Sequence, residues 1–163
     1  MSIYYHCAPI PLAPGSVICP GNFGRVIRQY EPNFGNYPMA FRERVLEDVR
    51  AAEFPEKPSR LAAIFLLPSY PVAEKYLEAP ERRSLIMYEV ETIQEPKLLH
   101  VGDWLMALPE DDQAYFDGMS EFARQYWQGQ SLDVYHQEIL VDVPVRVLRA
   151  RTANASRLPG MSL

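Results

Sequence analysis

Short apolar runs bounded by proline and glycine alternate along the chain with longer stretches in which apolar positions recur at helical spacing. The short runs are typical of strands, because turn residues delimit them and several alternate their apolar positions. The run LAAIFLL has the character of a fully buried strand, and RRSLIMYEVE alternates between two faces. The pattern predicts strands over residues 3–7, 17–19, 25–30, 61–67 and 82–91.

Three stretches have the spacing of helices. Between residues 41 and 52 apolar side chains return every three or four positions, and FRERVLEDVR places charges on the other face. A short helix is predicted over residues 72–77. The strongest pattern covers residues 109–129, which begin with proline and three acids and end with glycine. Its stripe is typical of a helix that faces a core and comprises Tyr115, Phe116, Met119, Phe122, Ala123, Tyr126 and Trp127.

The sequence HQEILVDVPVRVLR, residues 136–149, predicts one long strand near the C-terminus. Glu138 falls on the face opposite to the branched side chains, so we expect its carboxylate to leave the core and enter a cleft. Strands and helices are mixed without regular βαβ alternation, which indicates the α+β class. We expect one domain over residues 1–150 and a mobile tail over residues 151–163. The apolar stripe of the long strand comprises Ile139, Val141, Val143, Val145 and Val147.

Composition limits the function classes. The 163 residues are 48% hydrophobic and carry a net charge of −5, which is typical of one globular domain. An acidic chain is a poor candidate for a dedicated nucleic-acid or membrane-surface binder, although nucleic acid stays open as a reaction target. Cys7 and Cys19 are expected to be reduced thiols of a cytoplasmic protein, with a disulfide as the alternative. No apolar run is long enough for a membrane span, and we expect a cytoplasmic protein or one delivered by a specialised secretion system.

Local motifs do not identify a reaction by themselves. The histidines and cysteines are not spaced as metal ligands, so we expect no metal, and neither a dinucleotide nor a phosphate-loop motif occurs in the sequence. His6 and Glu138 stand out because each is a titratable residue at the end of an apolar strand. For residues in such positions a structural or solvated role is the common alternative. The residues alone leave both interpretations open.

Four segments, in order, resemble the ADP-ribosyltransferase superfamily, and they cover most of the chain. The opening stretch YYHCAPIPLAPGSVICPG is similar to the first strand and loop of the rifampin ADP-ribosyltransferase type. SRLAAIFLLPSYPVAEKYL resembles the second motif of the polymerase-like branch, and RRSLIMYEVE the strand that follows it. YHQEILVDVPVRVL resembles the catalytic-glutamate strand of the poly(ADP-ribose) polymerases. The spacing of the first motif is kept by His6, Leu12, Gly15, Val17, Ile18 and Gly21.

The resemblance implies a fold and a substrate. The fold would be two small antiparallel sheets packed face to face, flanked by the helices over residues 41–52 and 110–128. The substrate would be NAD, bound as in the histidine-tyrosine-glutamate branch. In that branch His6 would hydrogen-bond the adenosine-ribose 2′-hydroxyl, and Glu138 would be the catalytic acid. The backbone of Cys7, where the family has glycine, would grip the nicotinamide carboxamide.

Three further positions carry the second motif. Phe65 stands where the family has tyrosine, so a ring is kept and a hydroxyl is lost. Ala73 stands where the family has a small or hydroxyl-bearing residue, so a bond to the carboxamide is missing. Tyr76 would stack on the nicotinamide ring, although an aromatic residue on such a helix is more often part of the core.

Two functions follow as hypotheses. The first is a mono-ADP-ribosyltransferase that moves ADP-ribose from NAD to an acceptor, which could be a protein, a nucleic acid or a small molecule. Such an enzyme could serve as a toxin, an effector or an antibiotic-modifying protein, and a toxin would have a cognate antidote protein. The second is a non-catalytic member of the fold that binds a nucleotide or a protein partner. His6 together with Glu138 favours the first, and Phe65 with Ala73 favours the second.

Overall fold

The structure is a computed structural model that describes residues 2–31, 35–105, 115–130 and 133–151, with residues 115–117 described by their backbone only. Two 3-10 helices, Pro80–Arg82 and Val134–His136, connect longer elements. The strands are β1 (Ile3–Ala8), β2 (Val17–Ile18), β3 (Ile64–Leu66), β4 (Ile86–Thr92), β5 (Leu99–Asp103), β6 (Gln137–Val141) and β7 (Val145–Arg151). The helices are α1 (Asn22–Ile27), α2 (Tyr37–Glu53), α3 (Tyr70–Tyr76) and α4 (Tyr115–Gln128).

Two antiparallel sheets pack against each other, which confirms the α+β class. The first has the strand order β1-β4-β7-β2 and the second the order β3-β6-β5. Their facing sides form one apolar cluster to which both sheets contribute. The predicted stripe lies in this cluster, because Ile139 and Val141 face it from the second sheet while Val145 and Val147 face it from the first.

Both long helices lie on the outer face of the three-stranded sheet. Leu46 of α2 and Trp127 of α4 pack with Leu140 of β6, and the Trp127 indole N–H donates to the Leu46 carbonyl at 2.8 Å. The helices therefore share one side of the molecule. The shorter α3 packs with Met87 of β4 and with partly buried residues of β1, on the outer face of the four-stranded sheet.

The predicted long strand over residues 136–149 is wrong as a single strand. The chain leaves β6 after Val141 and enters the other sheet as β7 at Val145. Pro144 has no N–H group for a ladder bond, and the Asp142 carboxylate accepts the backbone N–H groups of residues 97 and 98, at 3.1 and 3.2 Å. Residues 142–144 thus form the link through which the chain passes from one sheet to the other.

The strand predicted over residues 25–30 is also wrong, because α1 includes residues 25–27 and a turn follows it. Gly21 precedes the helix with φ 90°, a left-handed conformation that glycine adopts without steric cost. Gly24 lies so close to the backbone of Leu61 that an added Cβ would be 2.0 Å from the Leu61 carbonyl oxygen. This contact fixes α1 beside the start of β3.

The strand β5 was not predicted, since glycine and aspartate at its end are rare in strands. A Cβ on Gly102 would lie 2.6 Å from the Tyr126 ring, so glycine lets α4 approach the sheet. The other predicted strands and the helices over 41–52 and 72–77 are confirmed, with shifted ends. Residues 109–114 of the predicted last helix and 152–163 of the predicted tail lie outside the described residues, whereas Arg151 belongs to β7. Among the described helices, none has the length and apolar character that a membrane crossing requires.

The contact of Gly24 gives a first prediction. Gly24→Ala should lower the free energy of unfolding by roughly 1–3 kcal/mol, the usual cost of overpacking, although alanine is the better helix former. Urea unfolding monitored by circular dichroism measures the change. A variant as stable as the wild type would contradict the close packing of α1 on Leu61.

His100 gives a second prediction, because burial lowers its pKa from 6.5 to about 4. The ring is 2% exposed, lies against Tyr126 and Trp127, and its Nε2–H donates to the Tyr126 carbonyl at 2.9 Å. Below pH 6.5 the imidazole of His100 takes up a proton in the unfolded chain but stays neutral in the folded chain. The free energy of unfolding therefore decreases as the pH falls towards 4. Between pH 7.5 and 5.0 this residue should cost about 2 kcal/mol of stability.

The control for this pH effect is His100→Gln. This variant should be less stable than the wild type at pH 7.5. The difference between their free energies of unfolding should be smaller by about 2 kcal/mol at pH 5.0. An unfolding free energy that changes with pH equally in both proteins would show that folding does not lower the pKa of His100.

Candidate functional site

A small, partly open pocket of about 40 Å³ lies where the edges of the two sheets meet α3. Four separate elements line it: β1, the β3 strand with the residue after it, the end of α3, and the start of β6. These elements come together because β1 is the edge strand of its sheet and bridges to the chain just after β3. The lining residues are His6, Cys7, Phe65, Leu67, Tyr76 and Glu138.

His6 is held in one tautomer. Its Nδ1 lies 2.9 Å from the carbonyl oxygen of Phe65, and a carbonyl only accepts, so Nδ1 carries the proton and donates it. Burial lowers the pKa of His6, which favours this neutral form. Nε2 then carries a lone pair and has no hydrogen-bond partner among the described residues. This nitrogen can accept a hydrogen bond from a hydroxyl group of a ligand.

Cys7 contributes its backbone to an open sheet edge. Tyr5 exchanges two backbone hydrogen bonds with Leu67, of 2.9 and 2.8 Å, on the side away from β4. Successive residues of a strand direct their N–H and C=O groups to opposite edges, so those of Cys7 point to the same edge as those of Tyr5. Within the described part of the chain they have no backbone partner there. Burial raises the pKa of the Cys7 thiol to about 12, so the side chain is a neutral wall and not a nucleophile.

Two aromatic residues, Phe65 and Tyr76, contribute to the lining. The Phe65 ring contacts the ring of Phe23 edge to face, with centroids 5.0 Å apart. The Tyr76 ring contacts Trp104 in the same manner at 5.1 Å, and the Arg82 guanidinium lies 3.9 Å from its centroid. Burial raises the pKa of Tyr76, so its hydroxyl stays protonated at neutral pH. Both rings are supported by neighbours and can present flat apolar surface to a ligand.

Ala73 does not line the pocket. It is fully buried in the cluster beneath α3, together with Val72 and Met87. The second-motif position that the family gives to a small or hydroxyl-bearing residue is therefore a core position in this chain.

Glu138 faces away from the inter-sheet core as predicted and lines the pocket, and its carboxylate is almost completely buried. The residue is 5% exposed, and its Oε1 accepts hydrogen bonds from Arg60 at 2.5 Å and from the Tyr126 hydroxyl at 2.7 Å. The outer face of β6 is covered by α2 and α4, and the ion pair satisfies the buried charge. Oε2 has no hydrogen-bond partner among the described residues, and Glu138 lines the pocket.

Sequence reasoning missed Arg60 and Tyr126, which bond this carboxylate, and Glu43, which bonds Arg60. Arg60 donates from Nε to Glu43 at 2.9 Å and from Nη1 to Tyr126 at 2.6 Å. Tyr126 was assigned to a core stripe, and Glu43 to the charged face of a helix. A buried arginine and glutamate have no local sequence signal, since their partners are distant in sequence. In the described residues, no group of three or more histidine, cysteine, aspartate or glutamate side chains could hold a metal ion.

Comparison with known proteins assigns the chain to a family but identifies no curated relative. A family model matches residues 22–154, a stretch that contains Phe65, Tyr76 and Glu138, whereas His6 and Cys7 precede it. Because the match spans most of the sequence, the chain belongs to the family described as "Protein of unknown function (DUF2441)".

Proposed function

We propose that this protein cleaves the bond between nicotinamide and ribose in NAD and transfers the ADP-ribose to an acceptor. The observation that carries the proposal is the convergence of His6, Cys7, Phe65, Tyr76 and Glu138 on one pocket. These residues were singled out by a resemblance to the ADP-ribosyltransferase superfamily, and they come from three motifs that are far apart in sequence, in β1, in β3 with α3, and in β6. A chance similarity of separate short motifs would not require a common pocket.

The contacts of the lining residues fit the parts of NAD in this proposal. The Nε2 atom of His6 would accept a hydrogen bond from the 2′-hydroxyl of the adenosine ribose, since Nδ1 already donates to the Phe65 carbonyl. The backbone N–H and C=O of Cys7 would pair with the nicotinamide carboxamide, as an added strand pairs with a sheet edge. The ring of Tyr76 would stack on the nicotinamide. Phe65 would close the pocket by shape alone, because it has no hydroxyl.

The proposed chemistry needs a negative charge at one place. When the glycosidic bond breaks, its electron pair leaves with nicotinamide, and C1′ of the ribose becomes an oxocarbenium-like centre. The free oxygen of Glu138 would accept the ribose 2′-hydroxyl and stabilise this charge as it forms. The acceptor then attacks C1′ through a lone pair, and its proton passes to solvent water. The neutral thiol of Cys7 takes no part in the bond changes.

A second function, nucleotide or protein binding without turnover, is favoured by two other observations. The pocket of about 40 Å³ has room for only a few water molecules, so an enclosed nicotinamide ring requires the lining side chains to move apart. In addition, one oxygen of Glu138 is already bonded to Arg60 and Tyr126. Release of nicotinamide from NAD by the purified protein, with and without a cell lysate as a source of acceptors, separates the two functions.

The role of Glu138 gives a third prediction. Glu138→Gln keeps the shape of the side chain and its acceptor oxygen, but it removes the charge. Nicotinamide release should fall on the order of 10²-fold or more, because the lost interaction belongs to the transition state. The affinity for NAD, measured by calorimetry, should stay within a few fold.

The control for this variant is Asp142→Asn. Asp142 follows the same strand, and its Oδ1 accepts two backbone N–H groups outside the pocket, a role that asparagine can keep. Its nicotinamide release should stay near that of the wild type. Full activity of Glu138→Gln would remove Glu138 from the catalytic role.

NAD binding gives a fourth prediction. His6→Ala removes one hydrogen bond to a ribose hydroxyl and should weaken NAD binding by about 0.5–1.5 kcal/mol, a loss of roughly 2- to 12-fold in affinity. Tyr76→Ala should weaken binding by a similar amount through lost stacking, while Tyr76→Phe should bind as the wild type does. Calorimetry measures each affinity, and thermal unfolding confirms that the variants fold. Equal NAD affinity in all four proteins would exclude both residues from the site.

A further inference from the structure

One buried guanidinium connects the candidate catalytic carboxylate to the helices behind it. Arg60 is 6% exposed and lies between two aromatic rings, 4.7 Å from the centroid of Phe65 and 4.9 Å from that of Tyr126. From this position Nη1 donates to both the Tyr126 hydroxyl and Glu138 Oε1. The stacked rings leave the flat fork of arginine little freedom to turn.

The other side of the same guanidinium is bound by Glu43 of α2, which is 1% exposed. Arg60 donates to both of its oxygens, at 2.9 and 3.4 Å, and Arg42 donates to Oε1 at 2.8 Å. Burial alone would raise the pKa of Glu43, but the two arginines outweigh this effect and hold the pKa below its ordinary value. Glu43 is therefore ionised at neutral pH and anchors Arg60 on the helix side.

In the described part of the structure, the hydrogen bonds to the Glu138 carboxylate reach only one of its two oxygens. Both donors, Arg60 and Tyr126, bond to Oε1. Tyr126 also receives a hydrogen bond from Arg60, so its own proton is committed to Glu138. Burial raises the pKa of Tyr126, which keeps that proton on the hydroxyl. The carboxylate is thus held by one oxygen, while its second oxygen has no partner among the described residues.

We propose that Arg60 and Tyr126 are positioning residues that hold Glu138 by Oε1 and thereby direct Oε2 towards the pocket for the hydroxyl of a bound ligand. Glu43 serves the same arrangement by fixing Arg60. The turnover part of this inference rests on the proposed function. Removal of either positioning group leaves the charge of Glu138 in place but allows the carboxylate to turn away from the productive orientation.

Two conservative variants test the inference. Tyr126→Phe removes only the hydroxyl, and Arg60→Lys keeps a positive charge but cannot bond Glu43, Tyr126 and Glu138 together. Nicotinamide release by each should fall about 10- to 100-fold, while the dissociation constant for NAD stays within threefold. A matched control is Tyr88→Phe, because Tyr88 is also buried and its hydroxyl bonds the backbone of Leu12 and Ile10. This control should keep its activity within about twofold.

A double-mutant cycle of protein stability tests this arrangement independently of turnover. The unfolding constants of Tyr126→Phe, Glu138→Met and the double variant are measured by urea unfolding. If the two groups act as one unit, the double variant should depart at least tenfold from the product of the single effects.

The outcomes separate the two proposals. Wild-type turnover in both Tyr126→Phe and Arg60→Lys would overturn the positioning role, and so would an equal loss in Tyr88→Phe or a loss of NAD affinity that matches the loss of turnover. A wild-type protein that releases no nicotinamide would overturn the enzyme proposal. In that case additivity in the cycle would overturn the positioning arrangement, and non-additivity would support it.

Discussion

A guanidinium that is almost excluded from water needs anionic partners inside the protein. Arg60 is buried in this way, and its partners connect three parts of the fold. Its partners come from α2, α4 and β6, so the two long helices and the central strand of the three-stranded sheet are tied at one point. An unpaired charge at this depth would cost several kcal/mol, and each partner is therefore confined to a narrow range of positions. The apolar contacts of Leu46, Trp127 and Leu140 pack the same layer without such directionality.

The periodic parts of the fold could be predicted from the sequence. Alternation placed Ile139 and Val141 on one face and Glu138 on the other, and the structure keeps this division. What alternation could not give was the environment of each face. Arg60 is separated from Glu43 by 17 residues, from Tyr126 by 66 and from Glu138 by 78. No window of local sequence contains this set, and each of its charged members by itself is typical of a solvated surface.

Two glycines illustrate the same limit. Gly24 and Gly102 each stand where another part of the chain comes too close for a Cβ atom. In the sequence they read as interruptions, which is why α1 and β5 were not predicted. For the candidate site, the resemblance named residues in separate motifs. It named the pocket-lining positions except Leu67, but it placed Ala73 at the site, and its assignment of NAD remains a prediction.

The passage of the chain from β6 to β7 through residues 142–144 has a consequence for the pocket. His6 belongs to the four-stranded sheet, while Phe65 and Glu138 belong to the three-stranded sheet. The gap across the pocket therefore depends on two things: the hydrogen bonds that join the sheets at this edge, between Tyr5 and Leu67 and between His6 and Phe65, and the thickness of the apolar layer behind them. A change in the volume of a core residue such as Val90 should alter the opening on the side away from these bonds, with every pocket-lining residue left as it is.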